Sequence, residues 1–198
     1  MKSAAIGCFV LALVLIFSVV AYGVSAYNGL VGLDEAVDSA WAQVENVYQR
    51  RADLIPNLVA TVKGSADFEQ DTLNQVIEAR SKVGSINVSG TPTAEQMQSF
   101  QQAQGGLSSA LSRLLVVVER YPDIKSTENF RDLQAQLEGA ENRIAVERKR
   151  YNEVAQSFNT KRRRFPTSVI AGWFGFDEPK PYFESDQGAD KAPTVDFS

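Results

Sequence analysis

Chemistry in this chain would have to come from carboxylates and guanidinium groups. Glu119 and Glu141 are the acids that fall on or beside the apolar stripes of the predicted helices, and Arg51 and Arg148 are the cations on the same stripes. Two carboxylates can share general acid–base work or hold a metal. The chain has no histidine, however, which removes the commonest general base and the commonest metal ligand together. Metal sites in helical bundles pair glutamate with histidine. The one cysteine, Cys8, lies in an apolar leader, so it serves neither an internal disulfide nor a thiolate metal site. No glycine-rich phosphate loop or activated nucleophile accompanies the acids. The expectation is no catalytic residue, no cofactor and no metal, so an enzyme built on Glu119 and Glu141 is the weakest reading.

A structural role fits these residues better. Arg51 lies inside an apolar stripe, between Tyr48 and Ile55. It is either a snorkelling arginine at the edge of the stripe or a buried charge that needs an acid facing it. The second alternative predicts a buried polar layer of Arg51 and Glu141, joined by Glu119 and Arg148, that fixes helix register. Tyr48, Tyr151 and Asn152 stand nearby to satisfy leftover donors and acceptors.

The elements that must hold this layer are helices. Val37, Ala40, Trp41, Val44, Tyr48, Ile55, Leu58 and Val62 recur at steps of three and four, predicting a first helix over 34–65. Leu73, Val76, Ile77 and Arg80 share one face of a second. Gly84, Gly90 and Pro92 interrupt the pattern, Thr91 before Pro92 reads as a cap, and Thr93 to Gln96 reads as a capping box. Phe100, Leu107, Leu111, Leu114 and Val118 mark a third helix that Pro122 ends. A fourth, from near Ser126, carries Phe130, Leu133, Leu137, Ile144, Tyr151 and Phe158. Short connections between four such helices predict an all-α, antiparallel up-and-down bundle. A rival partition merges the first two helices into one, against which Gly64 argues. Pro56, inside the first helix, lacks an amide hydrogen and crowds the carbonyl of Ala52, predicting a kink near Asp53.

Ahead of the bundle no charged residue occurs from Ser3 to Leu33. Residues 4–26 supply about 34 Å of apolar helix, enough to cross a bilayer, and read as a transmembrane anchor. A cleaved signal ending at Ala26 and lipidation at Cys8 are the alternatives; the run exceeds the usual signal length, and only seven residues precede Cys8. Lys2 on one flank and Asp34, Glu35 and Asp38 on the other place residues 1–3 in the cytoplasm and the domain on the exported side. The formal net charge of −4 argues against nucleic acid as a partner. Residues 27–184 form the bundle with a carboxyl-terminal aromatic segment, and the polar tail 185–198 reads as disordered.

Summed helix lengths return the end of the fourth helix to the level where the first began. There stand a basic cluster, Lys161, Arg162, Arg163 and Arg164, and then Trp173, Phe174 and Phe176. Cations beside large aromatics are what an interfacial membrane or partner contact uses.

The stretch "YNGLVGLDEAVDSAWAQVENVYQRRADLIPNLVATVKG" closely resembles the LemA family. So do "EARSKV", "LLVVVERYPDIKSTENFRDLQAQLEGAENRIAVERKRYNEVAQSFNT" and "FPTSVIAGWFGF" followed by "YFE", in order from about Tyr27 to Glu184. The resemblance implies an amino-terminal membrane segment, an up-and-down four-helix bundle, no catalytic residues, and roles in envelope or membrane organisation, including magnetosome membrane formation. Many relatives carry a lipidated cysteine directly before "YN", where this chain has Ser25 and Ala26. The expected protein is a single-pass bacterial inner-membrane scaffold or interaction protein of the cell envelope. Its expected partners are the membrane and other envelope or membrane proteins, with self-association left open. The alternative is a lipid-binding or membrane-shaping module acting through residues 161–176.

Overall fold

The structure is a computed structural model that describes residues 2–64, 69–88 and 90–184. It contains α1 (Lys2–Lys63), α2 (Gln70–Gly84), α3 (Ala94–Val118), α4 (Pro122–Lys125), α5 (Glu128–Arg163) and α6 (Thr167–Trp173), with no strand among the described residues. The disorder expected for 185–198 lies outside the described residues.

The first predicted helix does not begin at Asp34. Leader and bundle helix are one element of 62 residues, about 93 Å long. No proline falls between Lys2 and Ile55 to stop it. Gly29 and Gly32 each weaken a helix by about 1 kcal/mol, which full burial of Leu30 and Val37 beside them offsets. Exposure reverses along the same rod. The described leucine, isoleucine, valine and phenylalanine side chains before Ala26 stand in the open, whereas Ala26, Leu30, Val37, Trp41, Val44, Tyr48, Ile55, Leu58 and Val62 are buried. The exposed part is long and apolar enough to cross a membrane.

The chain turns at Gly64, and α2 runs back along α1, so the two are separate helices. Arg80 of α2 donates through Nε to the carbonyl of Ala52 at 3.1 Å. That carbonyl is the one Pro56 cannot serve, so a neighbouring helix supplies the missing donor and α1 continues past the proline. Of the two cap signals in the sequence, the Thr93–Gln96 capping box is the one that forms. Thr93, not Thr91, is the N-cap; its hydroxyl accepts from Gln96 N at 3.3 Å, and Gln96 Oε1 accepts from Thr93 N at 2.9 Å. Thr91 instead ties the preceding loop to α1, donating its backbone N–H (3.1 Å) and its hydroxyl to Asp38. Pro122 does more than follow α3. It opens the one-turn α4, which buries Ile124, and Thr127 then caps α5.

Two apolar clusters fill the bundle. The upper one joins Ile55, Leu58 and Val62 to α2, α3, α4 and the start of α5. The lower one joins Val37, Trp41, Val44 and Tyr48 to Phe100, Ile144, Tyr151 and Phe158. The 15 residues of α2 wall only the upper half. In the lower half the non-helical segment 177–184 takes that place, with Phe183 stacked on Trp41 at 6.0 Å and edge-on to Tyr151 at 5.5 Å.

Candidate functional site

Arg51 sits at the boundary between the two clusters and is 1% exposed. One terminal nitrogen donates to Glu141 Oε1 at 2.5 Å and to Ser108 Oγ at 2.8 Å; the other donates to the side-chain oxygen of buried Gln104. The guanidinium carbon lies 5.2 Å from the centre of the Tyr48 ring. Three helices thus converge on one cation, α1 supplying it and α3 and α5 supplying its acceptors. A helix slipped by one turn would strand these groups, so the layer favours a single register. Its carboxylate is not sealed in: the Glu141 side chain is 45% exposed.

Two residues assigned to this layer lie elsewhere. Glu119 caps the upper end of α3, eleven residues or about 16 Å beyond Ser108, and pairs with Lys125 at 3.2 Å on the surface. The stripe of α3 runs out at Val118, which leaves the next residue outside the core. Glu119 and Glu141 therefore do not form a catalytic pair. Arg148 lies two turns from Glu141 toward the anchor, donates to the carbonyl of Glu184 at 2.7 Å and covers the Phe183 ring at 4.9 Å.

Beside the layer α3 and α5 stand apart and leave a cleft of about 1210 Å³, lined by Gln98, Gln101, Gln104, Ser108, Glu141 and Arg148 among others. Its lining mixes amides, hydroxyls and the Arg51–Glu141 pair with apolar side chains such as Met97 and Ile144. Among the described residues no group of three or more His, Cys, Asp or Glu is placed to hold a metal. Such a surface can hydrogen-bond a peptide or another helix.

The strap 177–184 closes the lower end of this cleft through two asparagines. Asn152 donates to the carbonyl of Phe183 (2.9 Å) and accepts from its N–H (2.8 Å). Asn159, two turns on, does the same for Lys180 at 2.8 and 2.9 Å. Each amide side chain imitates the edge of a β-strand. Lys180 also pairs with Asp34 of α1 at 2.6 Å. The signal for this clamp was the spacing of two amides seven residues apart on the inner side of the fourth helix. Beneath the strap the hydroxyl of Tyr151 has no hydrogen-bond partner among the described residues. Burial first, then the Asp38 carboxylate and Tyr182, hold its phenol well above the usual 10.0.

The basic–aromatic end forms a foot where α1 leaves the bundle. Tyr22 and Thr167 share a hydrogen bond of 3.1 Å, which docks α6 onto the anchor. Trp173 is 77% exposed, and Phe174 is mostly exposed with one face on Tyr27 at 4.9 Å. Phe176 differs from them. It packs 6.3 Å from Phe158 and 6.0 Å from Tyr27, against the lower core. Phe165, 84% exposed, is a member the sequence reading missed. Arg163 and Arg164 are exposed, Lys161 is partly covered, and Arg162 donates to the carbonyl of Asp177.

Comparison with known proteins finds relatives of two descriptions. Protein LemA of Metamycoplasma hominis is 24% identical over 144 residues, covering 73% of this chain and 63% of that protein. Magnetosome proteins MamQ 1 and MamQ 2 of Paramagnetospirillum magneticum are each 27% identical over 181 residues, 82% of this chain and 66% of theirs. The chain therefore spans somewhat under two thirds of the length of these relatives. The LemA family profile matches residues 40–197, from Trp41's neighbour Ala40 through the bundle, the strap and beyond. The chain belongs to the LemA family.

Proposed function

We propose that this is a non-enzymatic, membrane-anchored scaffold or interaction protein of the bacterial cell envelope. The observation that carries the reading is the continuity of α1. One unbroken helix joins an exposed apolar half to the buried axis of the bundle; with that half in a bilayer, the cleft between α3 and α5 would stand at a fixed height and bearing. A protein that works by presenting a surface needs that fixed placement. The flanking charges support a domain on the exported side. Similarity to proteins named for the magnetosome supports a membrane role without identifying the process.

Photocrosslinkers at Gln98 and Gln102, in the cleft of the full-length protein in native membranes, test this. Discrete protein adducts are expected, and they should vanish when a flexible Gly/Ser stretch is inserted after Leu33. Adducts that persist through the insertion, or none at all from either position, would count against a scaffold.

A second reading, a lipid-contacting module, is favoured by the exposure of Phe165 and Trp173 beside the anchor. The chain has two tryptophans, and Trp41 is buried. Quenching by brominated lipids therefore reports on Trp173. Strong quenching that Trp173→Phe abolishes is expected, and emission insensitive to such lipids would exclude the contact.

A further inference from the structure

Between α1 and α5, at the level of the foot, lies a second cavity of about 550 Å³. Its lining includes Tyr22, Thr160, Lys161, Arg164, Phe165 and Thr167. Its height is fixed by α1. Tyr22 stands four residues, about 6 Å, inside the end of the apolar run, and Leu33, at the far end of the cavity, is about 16 Å higher. That interval brackets the headgroup layer, which is about 5–8 Å deep on each side of a bilayer.

The charge in this cavity is of one sign. α1 carries no charged side chain between Ser3 and Leu33, no carboxylate lines the wall, and Lys161 and Arg164 have no ion-pair partner among the described residues. Lys161 reaches across to the backbone of α1 at Gly29, where a Cβ would collide with its ammonium. Cations at the carboxyl end of α5 do offset the helix dipole, but exposed ones such as Arg163 serve that need equally well. The dipole does not explain why two of the four border a cavity with the hydroxyl groups of Thr160, Thr167 and Tyr22.

We propose that this cavity is a headgroup site for an anionic phospholipid: Lys161 and Arg164 hold the phosphodiester, hydroxyl groups complete its hydrogen bonding, and Phe165 meets the acyl chains at the rim. A zwitterionic lipid fits less well, because nothing in the lining would receive its ammonium. The proposal rests on the lipid-contact reading of the foot.

The test uses the delipidated full-length protein in mild detergent and measures binding of phosphatidylglycerol and phosphatidylcholine by native mass spectrometry. A cation near a bilayer surface contributes about fivefold to anionic binding, so the pair predicts roughly 30-fold preference for phosphatidylglycerol. The K161Q/R164Q variant should bring that preference to within about twofold. The charge-matched K149Q/R163Q variant, with both changes outside the cavity, should retain it. Equal loss in both variants would mean diffuse attraction and overturn the site. Inorganic phosphate displacing phosphatidylglycerol at millimolar concentration would assign the cavity to free phosphate instead and equally overturn it. Absence of preference while Trp173 remains quenched in vesicles would refute the headgroup site and leave the lipid-contact reading standing. An unquenched Trp173 would remove that reading and this proposal with it.

Discussion

Replacing Glu141 by glutamine removes one charge from the polar layer while keeping an acceptor oxygen for Arg51. Two limits bracket the effect. Exposed ion pairs contribute about 0.2–1 kcal/mol, whereas breaking a fully buried pair costs about 3–5 kcal/mol. Here the cation is buried and the carboxylate nearly half exposed, at 2.5 Å. Water can therefore solvate one partner, and Ser108 and Gln104 continue to serve the other. The expected loss for E141Q is about 2 kcal/mol. R51M should lose a similar amount, about 2 kcal/mol, because it fills the space but strands the Gln104 amide. The two should not add. With Arg51 gone, Glu141 faces the cleft and hydrates, so E141Q in the R51M background should change stability by less than about 0.5 kcal/mol, a coupling of about 1.5 kcal/mol. Urea unfolding of the full-length protein in mild detergent, followed by circular dichroism, measures all four corners of the cycle. Half-molar salt should reduce the coupling, since one partner is wetted. Strictly additive losses would show that the ion pair holds nothing in register.

Other expectations concern the surrounding scaffold. Pro56→Ala should stabilise the protein by only about 1–2 kcal/mol rather than the roughly 3 kcal/mol of an uncompensated interior proline, because Arg80 already serves the freed carbonyl. Arg80→Ala should then lose about 1 kcal/mol in the native sequence and almost nothing in the P56A background, by the same unfolding assay. Phe183→Ala should lose about 3 kcal/mol and expose residues 177–184 to proteolysis, since its ring fills the place of a fourth helix. Tyr151 ionises in the unfolded chain near pH 10 but stays neutral in the fold at that pH. Its contribution is therefore whole below pH 10 and declines as pH rises above it. Ultraviolet titration should find one tyrosine that resists ionisation until unfolding, and Tyr151→Phe should flatten the alkaline loss of stability.

Much of the bundle was legible in the sequence, because helical stripes report directly on which face is buried. Arg51 could be placed beside Glu141 because each interrupts such a stripe and a buried cation needs an acid. Glu119 was misplaced for a related reason. Flanking a stripe does not say whether the stripe continues, and at Val118 it stops. Arg148 lies on its stripe, but its partner there is a backbone carbonyl of the strap, and carbonyls leave no mark in a sequence. The strap escaped notice as a structural wall because segment 177–184 has no periodicity. Asn152 was read as serving the polar layer and Asn159 was not singled out, yet both bond the backbone of the strap. The join between leader and bundle was read as a boundary because composition changes there, while the backbone simply continues.

That continuity makes the protein a lever. The bilayer sets the tilt of its apolar end according to how well span and hydrocarbon thickness match. From Ala26 to Lys63 the rod extends about 55 Å further, so a tilt change of about 10° would swing its tip by roughly 10 Å. With Tyr22 and Thr167 bonding the foot to the same rod, local thinning or thickening of the membrane becomes a displacement of the cleft. A partner bound between α3 and α5, as proposed above, would feel that displacement.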